Sequence, residues 1–136
     1  SGEEKRDDIT LMIVEFGSLM SVARRIKEAF RFYKSQDLRK AVEILHQIDE
    51  SSLSSTQLYL LGRLYFGVGD ADKALYYLNR ALENEPAHRE FLYFKGKVLY
   101  KLHQFKDALE LFLAVQRIEP NYKRVGRFIE KIRSLI

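Results

Sequence analysis

Aromatic and cationic side chains recur on one helical face of this chain, spaced by four and then three residues. Tyr59, Arg63 and Phe66 form one such row. Tyr93, Lys97 and Tyr100 follow 34 residues later, and Arg127, Lys131 and Ser134 another 34 beyond. A matching row upstream reads Ile26, Phe30 and Tyr33, and Thr56, Glu90 and Arg124 flank the set. Tyrosine and arginine are enriched where proteins bind proteins, because they offer large contact area beside a polar or charged tip. The chemistry these rows suggest is capture: apolar side chains of a partner on the rings, its carboxylates on the cations.

Residues for bond-making chemistry are sparse. The chain has three histidines, His46, His88 and His103, and no cysteine. None of the histidines stands at metal-ligand spacing with another, so no metal site is expected, and each reads as a solvated surface side chain. Gly67–Val68–Gly69–Asp70 has the look of a phosphate loop but lacks the downstream glycine and the Gly-Lys-Ser/Thr ending. It reads as a turn between helices. With no nucleophile beside a base, the expectation is a protein that is not an enzyme and uses no cofactor.

The elements that would carry the rows repeat at the same interval. Gly62 is matched by Gly96, Ala74 by Ala108 and Pro86 by Pro120, each 34 residues apart. Leu58, Leu61, Gly62 and Tyr65 share a helical stripe. Glycine inside a helix costs roughly 1 kcal/mol relative to alanine, so Gly62 and Gly96 imply close approach of a second helix. Asp37 and Asp70 stand four residues before Ala41 and Ala74, where an N-cap belongs; Gln104 fills the third such position less well. Pro86 and Pro120 end the second helices.

Period and residue types together resemble the tetratricopeptide repeat. The likeness runs through Leu58–Leu61–Gly62–Tyr65, Ala74–Leu78–Ala81 and Pro86, then Leu92–Gly96–Leu99, Ala108–Phe112 and Pro120. Lys95 and Val115 depart mildly from it. The resemblance implies an all-α, right-handed superhelical array of helix-turn-helix repeats with a C-terminal capping helix, whose first helices line a concave surface. It divides the chain into a polar tail (1–8), an N-terminal helix (9–21), a degenerate repeat (22–54), two repeats (55–88 and 89–122) and a basic capping helix (123–136). Some members of the family grip a C-terminal carboxylate with lysine and two asparagines. Phe30 and Arg63 stand at the asparagine positions here, so that clamp is not carried over.

The N-terminal segment does not match the repeat. Ile9, Met12, Ile13, Phe16, Leu19, Met20 and Ala23 fit a helical stripe, while Leu11 to Val14 also suits a strand. The segment can cap the first repeat, fill the groove or pair two chains through residues 9–20. Its layout resembles that of secretion chaperones for translocator proteins.

With 136 residues, 46% hydrophobic and 31% charged, the composition suits one α-domain. The net charge of +4 sits at one end: from Asn121 onward Lys123, Arg124, Arg127, Lys131 and Arg133 face one acid, Glu130. That favours an acidic partner over a general nucleic-acid surface, which needs a longer basic stripe. No apolar run is long enough to span a bilayer. The chain opens on Ser1–Gly2, a pair left by many cloning steps, so a preceding signal or anchor stays open and a cytoplasmic setting is the default. The expected function is an interaction module that binds a peptide or partner segment. Its contact residues are Phe30, Tyr33, Tyr59, Arg63, Phe66, Tyr93, Lys97, Tyr100, Arg124, Arg127 and Lys131. The alternatives are a secretion-type chaperone or a self-assembling scaffold.

Overall fold

In the computed structural model, residues 22–136 are described, and all regular structure among them is helical. The seven helices are α1 (22–34), α2 (Leu38–Leu45), α3 (Ser55–Gly67), α4 (Ala71–Asn84), α5 (Arg89–Lys101), α6 (Phe105–Ile118) and α7 (Val125–Leu135). The stripe expected to form an N-terminal helix over 9–21, with its options of capping, groove filling or dimerisation, lies outside the described residues. The described residues divide into two compact units, one ending at residue 52 and one from 53 to 136.

In the first unit, Val22, Ile26 and Ala29 form the buried stripe of α1, and Ala41 and Leu45 that of α2. Asp37 caps α2: its Oδ1 accepts from the Lys40 N–H at 3.3 Å, satisfying one of the free donors at the helix start. Arg25 donates from Nη1 to the Gln47 carbonyl at 2.7 Å and so ties α1 to the end of α2.

The second unit is built from helix pairs. α3 packs on α4, α5 on α6, α4 on α5, and α6 on α7. Ser54 and Gln57 open α3 with a capping box, Ser54 Oγ accepting from the Gln57 N–H while Gln57 Oε1 accepts from the Ser54 N–H. Asp70 Oδ1 accepts from the Lys73 N–H at 3.1 Å at the start of α4. Gln104, in the same place before α6, makes no side-chain cap bond. The turn before each second helix passes through the left-handed region, at Gln36 (φ 64°), Gly69 (φ 92°) and His103 (φ 63°). α4 and α6 stop at Asn84 and Ile118, two residues before Pro86 and Pro120.

The glycines let the paired helices meet. A Cβ on Gly62 would lie 2.8 Å from Leu78 Cγ and 3.3 Å from the Ala74 carbonyl oxygen. On Gly96 it would lie 2.9 Å from Phe112 Cε1. The terminal core gathers Leu92, Tyr93, Leu99, Ala108, Phe112, Val115, Val125, Ile129 and Ile132. α7 closes it, its Phe128 ring stacked on Phe112 at 4.7 Å. The amphipathic stripe of α7 is therefore that of a capping helix.

Candidate functional site

The first helices of the second unit, α3, α5 and α7, are joined by a chain of rings. Tyr59 of α3 meets Phe91 at 4.9 Å and the edge of Phe94 at 5.9 Å on α5. Phe66 meets Phe94 edge-on at 5.7 Å. From α5 to α7, Tyr93 and Tyr100 approach Phe128 at 6.0 and 5.3 Å. Edge-to-face contacts of this kind add directional preference to simple burial.

Two of the expected contact residues are deep in these seams. Tyr59 and Tyr93 are only 8% and 4% exposed, so as open aromatic anchors they are corrected: their rings belong to the packing between repeats. The reason is geometric. Their position on the first helix faces the next first helix, and a large ring there fills the seam. Tyr93 also packs edge-on against Phe112 and Tyr122.

What stays at the surface rests on those rings. Arg63 is exposed and its guanidinium lies 5.7 Å from the Tyr59 ring centroid. Lys97, half-buried, places Nζ 5.7 Å from the Tyr93 ring and 5.6 Å from Phe94. Lys131 lies 5.8 Å from Tyr100. Phe66 and Tyr100 are half-buried, and Arg124, Arg127 and Lys131 are exposed. A cation over a ring face is held by the ring's quadrupole and keeps its charge turned to solvent. In the first unit, Phe30 is half-buried and Tyr33 is 37% exposed. There a shallow cleft of about 410 Å³ runs along α1, lined by Arg24, Lys27, Glu28, Phe30, Arg31 and Lys34.

Glu90, which the sequence placed only in a flanking row, is a polar hub of the face. Tyr59 donates its hydroxyl to Glu90 Oε1 at 2.7 Å, and Tyr122 donates to Oε2. Lys123 Nζ sits 2.6 Å from the same Oε2. One carboxylate thus binds α3, α5 and the loop before α7 together. Burial works to raise the Glu90 pKa, yet the bonds from Lys123, Tyr122 and Tyr59 together hold it below the ordinary carboxylate value. The phenols respond in the opposite sense. Burial, then the bond to Glu90, pushes Tyr122 up to about 12, and the same two causes raise Tyr59. Lys97 is lowered, first by burial and then by the nearby charge of Lys123. Sequence periodicity could not find this hub, because Tyr122 and Lys123 lie in the loop before α7, with Lys123 at φ 46°.

The histidines are not alike. His46 and His103 are exposed, as expected. His88 is half-buried and caps α5: Nδ1 accepts from the Phe91 N–H at 3.4 Å, and its ring stacks on Phe91 at 3.6 Å. Its expected role as a plain solvated side chain is corrected. Among the described residues, no three acids or histidines converge as metal ligands, and no helix is long and apolar enough to cross a membrane.

Residues 59–123 match the family model described as tetratricopeptide repeat. Solved structures with the same fold include the type III secretion chaperone SycD of Yersinia enterocolitica in complex with a peptide of the translocator YopD. The likeness is 17% identity with a TM-score of 0.66, covering 83% of this chain and 92% of that one. The second tetratricopeptide domain of human RPAP3, in complex with the HSP70 peptide SGPTIEEVD, is 16% identical with a TM-score of 0.69, covering 85% of this chain and 98% of that one. MamA is 20% identical with a TM-score of 0.71; the likeness covers 83% of this chain but only 62% of MamA. No curated protein sequence matches the chain.

Proposed function

We propose that this chain, whose residues 59–123 match the tetratricopeptide-repeat model, is a non-enzymatic interaction module that holds an acidic, partly apolar peptide segment on the α3–α5–α7 face. One observation carries the reading. Arg63, Lys97 and Lys131 lie over rings of two clusters, one between α3 and α5 that includes the half-buried Phe66 and one between α5 and α7 that includes the half-buried Tyr100; Lys97 lies over a ring of each, and Arg127 adds charge on α7. Apolar side chains of the partner would settle on the accessible ring edges, and its carboxylates would meet the cations. Arg124 extends the charged end. Phe30 and Tyr33, the remaining expected contact residues, lie on α1 and are a proposal for the first unit by itself. The peptide complexes of SycD and human RPAP3 support a peptide as the kind of ligand, and the RPAP3 peptide contains carboxylates.

The likeness to SycD favours a second reading, in which the chain acts as a secretion-type chaperone for an exported partner.

The test is selection from a displayed library of random peptides on the immobilised chain. The proposal expects enrichment of sequences pairing Asp or Glu with Phe, Leu or Ile. It also expects the selected peptides to lose binding to Arg127→Glu/Lys131→Glu, most at low salt, where exposed charges are least screened. Replacing Phe66 and Tyr100 by alanine is expected to weaken binding at every salt concentration, by about 1–2 kcal/mol per ring. Enrichment of basic peptides, or of none, contradicts the proposal.

A further inference from the structure

We propose that the outer face of α1, where Arg24, Lys27, Arg31 and Lys34 surround Phe30, is a docking site for an acidic amphipathic helix of a partner protein. The inference is independent of the α3–α5–α7 reading and shares only Phe30 with the contact set proposed above.

The turns fix which face this is. The left-handed residues Gln36, Gly69 and His103 stand 33 and then 34 residues apart, and Asp37, Asp70 and Gln104 follow them as helix caps. In that register Arg24, Lys27, Glu28 and Arg31 of α1 hold the places of Phe91, Phe94, Lys95 and Val98 in α5. One period further on, the same places in α7 are Val125, Phe128, Ile129 and Ile132. There they meet the preceding helix: Phe128 stacks on Phe112 of α6, and the other three belong to the core that α6 and α7 share. Phe91 and Val98 are buried as well. This side of a first helix is therefore the side on which a neighbouring helix lies.

On α1 the backbone position is the same and the chemistry is opposite. Arg24, Lys27 and Arg31 are exposed, and Glu28 is half-buried. With Lys34 and Phe30 they line the shallow cleft along α1, where four cations stand against one acid. An apolar helix of the kind α6 offers α7 would strip water from these cations and pair none of them, which costs more than the new apolar contact returns. An acidic helix brings carboxylates to one side at intervals of three and four residues. Its apolar side chains beside them meet the Phe30 ring and the methylene stems of the lysines and arginines. The position thus selects a helix as the occupant, and the sign of the cleft selects an acidic one.

The probe is a fluorescein-labelled peptide of three Glu-Leu-Ala-Glu-Glu-Leu-Ala heptads, read by anisotropy against the full chain. One control peptide has glutamine for every glutamate, and another has proline for both alanines of the middle heptad. The variants are Lys27→Glu/Arg31→Glu and Arg127→Glu/Lys131→Glu, which change the net charge equally, and the milder Lys27→Gln/Arg31→Gln, each checked for helix content. At low salt the reversal on α1 is expected to weaken binding about tenfold or more, the glutamine pair about threefold, and the reversal on α7 less than about threefold. Wild type is expected to bind both control peptides at least about tenfold more weakly than the acidic helix. Equal weakening by the two reversals, or undiminished binding of the proline peptide, overturns the proposal. Binding lost only through Arg127 and Lys131 overturns it too, and leaves the α3–α5–α7 reading standing. Absence of wild-type binding also overturns it, since a face covered within the chain or between copies captures no partner.

Discussion

The helix pairs α3–α4 and α5–α6 share one backbone plan and differ in nearly everything laid on it. Both bring a glycine of the first helix against the second, but Gly62 meets Leu78 where Gly96 meets the Phe112 ring. Both turns use a left-handed residue, glycine at 69 and histidine at 103. Asp70 caps its helix, and Gln104 does not. The outer seams diverge further. The α3–α5 seam is mostly rings, while α5 and the loop before α7 together bring Glu90, Lys97, Lys123 and Arg124 near one another. The close approach of paired helices is the part of the unit that tolerates least change. Caps, turn residues and seam charges are free to be spent on stability or binding.

Breaking the close approach should have the largest effect. Gly96→Leu pushes into Phe112, which is pinned between Gly96 and the stacked Phe128 ring; Gly62→Leu meets Leu78 instead. Each is expected to cost about 1–3 kcal/mol by overpacking. Gly96→Leu should cost at least as much, because an aromatic ring held on two sides relaxes less than a leucine. Urea midpoints of the two variants decide it, and two unchanged midpoints would remove the close-packing account.

The caps give a smaller and opposite pair of effects. Asp70→Ala should lower stability by about 1 kcal/mol, and Gln104→Asp should raise it by about 0.5–1 kcal/mol by supplying the missing acceptor. If both changes are silent in thermal unfolding, the difference between the two turns has no energetic meaning.

The smallest effect belongs to the polar hub and depends on pH. Glu90 has a folded pKa below its unfolded value of about 4.3, so its contribution is present above that pH and is lost as pH falls through the folded pKa. Tyr59 and Tyr122 are raised, so theirs is present below about pH 10 and is lost as pH rises toward 12. Denaturation midpoints of Glu90→Gln should therefore fall less steeply than those of wild type in acid, and Tyr122→Phe should flatten the alkaline limb. Parallel curves would show that the hub is solvated in solution.

Much of the array was legible because its signals are small residues at fixed positions. Gly62, Ala74 and Ala81 mark where helices touch, and Asp37 and Asp70 mark where they begin. Periodicity also named the face that carries Arg63, Lys97 and Lys131. It did not give depth: Tyr59 and Tyr93 share that face yet fill the seams, since a helical position fixes direction and only the neighbouring helix fixes burial. Ser54 with Gln57 is a capping signal the sequence carries, obscured by the serine run around it. The Glu90 hub was out of reach because its partners come from a loop whose path no repeat dictates.

The central claim is that the α3–α5–α7 face is where a partner binds. Backbone and side-chain NMR of the labelled chain, titrated with a peptide of three Leu-Asp-Glu repeats, tests it directly. The account predicts that shifts concentrate at Arg63, Phe66, Lys97, Tyr100, Lys123, Arg127 and Lys131, with the outer surfaces of α4 and α6 unmoved. Shifts confined to α4 and α6, or absent at saturating peptide, would contradict it.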